Sequence, residues 1–169
     1  AYNWAGGEWN EITPPDLQAE FAWRIKAMAL SGTTAAFAVQ TFNGPVTDGR
    51  PTLLIYEWSA GLGWTLVQSF APPFFVHSVD SVRLEGDRLV IVGGPLNGTV
   101  DFRSLAEIYI RRDGIFEFSG DYRGDGFSYQ FEATISGDKI YLGEDIIFSN
   151  DPSTLHLLSD EGEVLASLP

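Results

Sequence analysis

The stretch RLEGDRLVIVGGP, Arg83 to Pro95, decides the fold, because the chain writes it again as TISGDKIYLGED, Thr134 to Asp145. A third, earlier copy is AWRIKAMALSGTTAAFAVQ, Ala22 to Gln40. The three copies align on their turn glycines, Gly32, Gly86 and Gly137, at spacings of 54 and 51 residues. Two and four positions before each glycine stand apolar residues: Leu30 and Met28, Leu84 and Val82, Ile135 and Ala133. That alternation is the mark of a half-buried strand. Gly86-Asp87 and Gly137-Asp138 suit the two-residue type II′ turn, whose first central position needs φ > 0. Each copy therefore reads as a β-hairpin, the inner hairpin of a repeating unit.

A second hairpin recurs between these. LLIYEWSAGLGWTLVQSF (Leu53–Phe70), AEIYIRRDGIFEFSG (Ala106–Gly120) and TLHLLSDEGEVLASL (Thr154–Leu168) each run strand, Gly-containing turn, strand. The opening AYNWAGGEWNEI follows the same plan, with Tyr2 and Trp4 answering Tyr56 and Trp58, and Trp9 answering Trp64. Four outer and three inner hairpins make ~14 strands. The repeats run over about 20–70, 71–124 and 125–169, preceded by a half-unit at 1–19. One short helical turn is expected near 15–21, where Asp16 follows Pro14 and Pro15.

Four-stranded units of ~50 residues are the signature of β-propeller blades. VRLEGDRLVIVGGP (Val82–Pro95) and ATISGDKIYLGED (Ala133–Asp145), with hairpins such as Ile55–Trp64, resemble the FG-GAP repeat of integrin-α-like propellers and bacterial surface proteins. The resemblance spans roughly residues 20–169, although the Phe-Gly pair is absent near Ser78-Val79 and Tyr129-Gln130. It implies an all-β, propeller-like domain of about three and a half blades in an extracellular or cell-surface setting. A two-sheet β-sandwich is the alternative. Since a closed propeller takes ~4–8 blades, the chain is expected to be a fragment or one protomer of a larger propeller. An open one exposes an apolar blade face and unpaired edges.

Twenty-three acidic against ten basic residues leave a net charge of −13. That field repels nucleic-acid phosphates, so no nucleic-acid partner is expected. With no cysteine, disulfides, thiolate metal sites and cysteine nucleophiles are excluded. The uncharged runs Ala27–Thr47 and Trp58–Val79 are each broken by Gly, Pro and polar residues, so no membrane insertion is expected. No signal peptide is visible, and the chain opens on Ala1 rather than Met, which suggests removal of an upstream segment.

No catalytic motif appears. GDYRGDGFSYQF (Gly120–Phe131) resembles a calcium loop with Asp121 and Asp125 as ligands, but Arg123 stands where an oxygen belongs. Calcium is thus disfavoured, and no cofactor or metal is expected. Arg123-Gly124-Asp125 reads as turn chemistry rather than an adhesion signal. Asn97-Gly98-Thr99 is a glycosylation sequon if the chain is secreted in a eukaryote. His77 and His156 read as structural residues. Trp4, Trp9, Trp58 and Trp64 read as blade packing, with a sugar-stacking platform, hence carbohydrate, as the alternative.

The ~11–13-residue connections Gln40–Thr52, Gly93–Leu105 and Gly143–Thr154 exceed the usual loop length, and long loops on rigid scaffolds carry function. They nominate Asn43, Asp48, Asn97, Asp101, Asp145, Asn150 and Asp151 as a ligand-binding loop face. The expectation is a non-catalytic binding or protein-interaction module, acting through that face or its open edges with a protein partner or by self-association. A secreted glycoside hydrolase and a structural subunit of a larger assembly are the alternatives.

Overall fold

The structure, a computed structural model, describes residues 2–5, 8–11, 23–41, 51–74, 79–93, 105–124, 130–145 and 153–169. The expected helical turn at 15–21, His77 and the sequon at Asn97 lie outside these residues. Fourteen strands and no helix are found among the described residues.

Strands β1 (Tyr2–Ala5) and β2 (Glu8–Glu11) form a two-stranded sheet. The rest form three four-stranded antiparallel sheets, each taking its strands in chain order. The first holds β3 (Trp23–Ser31), β4 (Thr34–Thr41), β5 (Pro51–Ser59) and β6 (Gly63–Phe70). The second holds β7 (Ser81–Glu85), β8 (Arg88–Gly93), β9 (Leu105–Arg112) and β10 (Ile115–Arg123). The third holds β11 (Gln130–Ser136), β12 (Lys139–Asp145), β13 (Thr154–Leu158) and β14 (Val164–Leu168).

The inner turns follow from glycine. Gly32, Gly86 and Gly137 have φ of 57°, 55° and 62°, while the residue after each stays at negative φ, as a type II′ turn requires. Between β9 and β10 both central residues, Asp113 (49°) and Gly114 (86°), are positive, which is the type I′ alternative.

The sheets stack in chain order, and the alternation of each strand divides its side chains between two layers. We call leading the face of a sheet turned toward the preceding sheet, and trailing the opposite one. Trailing Ala36, Ala38, Leu53 and Ile55 of the first sheet share a buried cluster with leading Val82, Leu89, Ile91, Leu105 and Tyr109 of the second. Trailing Val90, Val92, Ala106 and Ile108 of the second meet leading Phe131, Ala133, Ile135, Ile140 and Leu142 of the third. Middle strands such as LVIVG are therefore apolar throughout, since both faces are covered.

Polar devices repeat along the stack. The Gly86 N–H donates to Ser31 Oγ (3.2 Å), and the Gly137 N–H donates to Glu85 Oε1 (2.9 Å). In both, the turn glycine bonds the residue preceding the turn glycine of the sheet before. Within sheets, Trp58 N–H donates to Thr33 O and Arg111 N–H to Asp87 O, each at 2.8 Å. Between the second and third sheets Arg88 clamps Asp160 with two parallel bonds of 2.9 and 3.0 Å. Between the first and second, the Gln68 amide both donates to Phe116 O and accepts from Phe116 N, each at 2.8 Å.

Candidate functional site

The trailing face of the third sheet is where the stack of described sheets ends. Aligned on the turn glycines, Ala36, Val90 and Tyr141 are equivalent, as are Ala38, Val92 and Gly143. The cross-strand register carries this to the third strand of each sheet. There Leu53, Ala106 and Leu155 are equivalent, and so are Ile55, Ile108 and Leu157. In the first two sheets all these positions are buried. In the third, Tyr141, Gly143 and Leu157 are half-buried and Leu155 is 42% exposed.

The face contains an open groove of about 340 Å³, lined by Arg83, Glu132, Thr134, Tyr141, Gly143 and Leu155. Gly143 stands where the earlier sheets carry Ala38 and Val92, so its missing side chain forms the floor. Tyr141 and Leu155 flank Gly143 along β12 and across on β13. At the inner end Arg83 reaches over from β7, donating from Nε to Ala133 O (3.0 Å) and pairing with Glu132 (3.5 Å). Ser136, just before Gly137, holds the place from which Ser31 and Glu85 accept the bond of the following sheet. The groove can take an apolar side chain, and its acid is already matched by an arginine.

A second cluster lies between the second and third sheets. Glu144, only 5% exposed, has Oε2 beside His156 Nε2 (3.1 Å) and accepts from Tyr122 OH (3.2 Å). His156 Nδ1 is 2.9 Å from Ser167 Oγ on the neighbouring strand. The Nε2–H tautomer satisfies both contacts, donating to Glu144 and accepting from Ser167. Ser167, His156 and Glu144 thus line up as hydroxyl, imidazole and carboxylate. Ser167 lies directly opposite His156 in the β13–β14 ladder, so the contact is a cross-strand pair on a regular strand rather than a nucleophile raised on a turn.

The position equivalent to His156 in the second sheet is Glu107, which is fully buried. Its Oε1 accepts from Phe74 N–H (2.9 Å), and Oε2 accepts from Tyr109 OH. Burial, and then the neighbouring Glu107 charge and bond, push the Tyr109 hydroxyl well above the usual tyrosine range. Tyr109 therefore keeps its proton and serves as donor to the carboxylate.

Of the seven nominated loop residues, Asn43, Asp48, Asn97, Asp101, Asn150 and Asp151 lie outside the described residues. Asp145 closes β12, its backbone opposite Gln130. In the stretch considered for calcium, Asp121 Oδ2 accepts from Arg123 Nε at 2.8 Å, and Asp125 lies outside the described residues. Among the described residues no three acidic or histidine side chains come together as a metal site. Trp58 and Trp64 pair across β5 and β6 with ring centroids 5.8 Å apart, and Trp4 and Trp9 are opposite one another in the β1–β2 ladder. No helix among the described residues is long and apolar enough to cross a membrane.

The groove residues were not nominated from sequence. Their signal is the alternation itself: the last copy sets Tyr141, Leu155 and Leu157 at positions that the earlier copies enclose, although Glu132 and Thr134 make the β11 part of that face polar. Compared with models of protein families, with curated proteins and with solved structures, the chain matches none.

Proposed function

We propose that the chain is a non-catalytic protein-interaction module of propeller-like, FG-GAP-type repeats, whose third sheet seats a further four-stranded sheet of the same repeat on a partner protein. The carrying observation is positional. Tyr141, Gly143, Leu155 and Leu157 occupy the places that lie beneath a following sheet in both earlier units. Stacking in chain order, with β7 against β3 and β11 against β7, suits a blade-like arrangement with the first strands innermost. The groove is lined by Ala133, Thr134, Tyr141, Gly143 and Leu155, and its charged residues, Arg83 and Glu132, are matched to each other, which favours assembly over chemistry.

The test is Leu155→Arg in the isolated chain. An open face predicts that binding of an apolar fluorescent dye falls by about half while the thermal midpoint moves by less than ~2 °C, as for other exposed positions. A midpoint loss of several degrees means that Leu155 is covered within the chain and refutes the open seat. A homodimer dissolved by the same substitution places a second copy there and refutes the heterotypic partner.

A further inference from the structure

At the other end of the stack, β3 is bare. On β3, Ile25, Met28 and Leu30 face the leading side, opposite Val39, Phe37 and Ala35 of β4. Met28 and Leu30 are 59% and 61% exposed. Their equivalents four and two residues before the later turn glycines are covered: Val82 and Ala133 are each 1% exposed, Ile135 is buried and Leu84 packs against the core. On the same face of the first sheet, Ala35, Phe37, Val39, Leu54 and Tyr56 are buried together. The uncovered apolar strip on β3, from Ile25 to Leu30, is thus about 17 Å long.

We propose that this strip seats a β-hairpin supplied by a partner protein, with the apolar alternation of this chain's own inner hairpins. Three observations set that chemistry. First, the covered equivalent, β7, lies against β3 and β4, the inner hairpin of the sheet before it. Second, the turn bonds run Gly86 to Ser31 and Gly137 to Glu85. The Gly32 N–H heads that series, so the donated hairpin carries a side-chain oxygen just before its turn glycine. Third, β1 and β2 form a sheet half the width of the others. Their Trp4–Trp9 register matches Trp58–Trp64 of the outer hairpin β5–β6, which is the half that an inner hairpin complements. The inference rests on the stacking of the described sheets and concerns a different face from the third-sheet seat.

Met28 is the one methionine of the chain, so its oxidation reads this strip alone. The probe is a synthetic peptide with the sequence of residues 79–93, VDSVRLEGDRLVIVG, and a scrambled version as control. In dilute hydrogen peroxide, intact mass should show Met28 of the free chain oxidising within about threefold of the rate in the urea-unfolded chain. Saturating peptide should slow it by about tenfold or more, and the scrambled peptide should not. Leu30→Lys should keep the thermal midpoint and abolish the protection. Slow oxidation in the free chain, or no protection at saturation, overturns the proposal. Leu155→Arg should leave the protection intact; its loss would place the peptide on the third sheet and overturn the assignment to β3.

Discussion

Gly120→Ala should loosen the seam between the second and third sheets. The β-bulge at Phe118/Gly120 brings Gly120 of β10 down onto the turn that joins β13 to β14. A Cβ at Gly120 would sit 2.7 Å from Glu161 Cα and closer still to its carbonyl, and one at Gly162 would sit 2.7 Å from the Asp121 carbonyl carbon. The opposing atoms are backbone, so no side chain can rotate away. Forcing a methyl group into a closed contact costs about 1–3 kcal/mol. Lifting the turn also strains the adjacent Arg88–Asp160 clamp, which places the cost near the upper end, about 3 kcal/mol. For a chain of this size that lowers the melting temperature by about 6–12 °C. The sign is diagnostic, because Gly→Ala in an unobstructed extended strand is ordinarily favourable by up to ~1 kcal/mol. Gly61, with nothing within 4 Å and no positive φ, is the control and should be neutral. Calorimetry or circular-dichroism melts read both variants. A Gly120→Ala midpoint within 1 °C of the parent, a shift of under about 0.5 kcal/mol, would mean that the turn does not lie on β10. The packing of the third sheet on the second, from which the third-sheet seat is read, would fall with it.

Because burial holds the Tyr109 proton in the folded state, the unfolded chain ionises first. Its contribution is complete below pH ~10 and is lost above it at about 1.4 kcal/mol per pH unit. Urea midpoints between pH 9 and 11.5 should fall less steeply for Tyr109→Phe, and parallel curves refute the burial argument. Arg88→Met should cost about 1 kcal/mol or less, since both partners are partly exposed, and the difference should shrink in 1 M salt. Loss of more than ~3 kcal/mol in denaturant titrations would show that the clamp is not a surface pair. His156→Ala removes a partner of the buried Glu144 carboxylate and should cost about 2–3 kcal/mol. Adding Glu144→Gln should recover part of it, whereas strict additivity in the double-mutant cycle refutes direct coupling.

Much of the fold was legible because its signals are local. The Gly86-Asp87 and Gly137-Asp138 hairpins, the pairing of Trp58 with Trp64 and the strand register of β3 each depend on neighbours within a single hairpin. His156 was harder. A lone histidine on a strand gives no hint that Glu144, twelve residues back, lies beside it, because the β12–β13 register sets the two diagonally on one face and only the stacking of the second sheet on the third brings Tyr122 of β10 over them. The loop face nominated from length and polarity rests on segments without periodicity, where composition reports solvation and carries no geometry.

Sequence alone determined that this is an all-β chain of repeated four-stranded units, since period-2 alternation and positive-φ glycines are properties of the backbone and its near neighbours. Which apolar faces are covered was decided only by tertiary structure. Val82 and Met28 are written at the same place in the repeat, yet one is sealed under the first sheet and the other stands open. Burial is a relation between sheets, and alternation marks a face for burial without saying what lies against it.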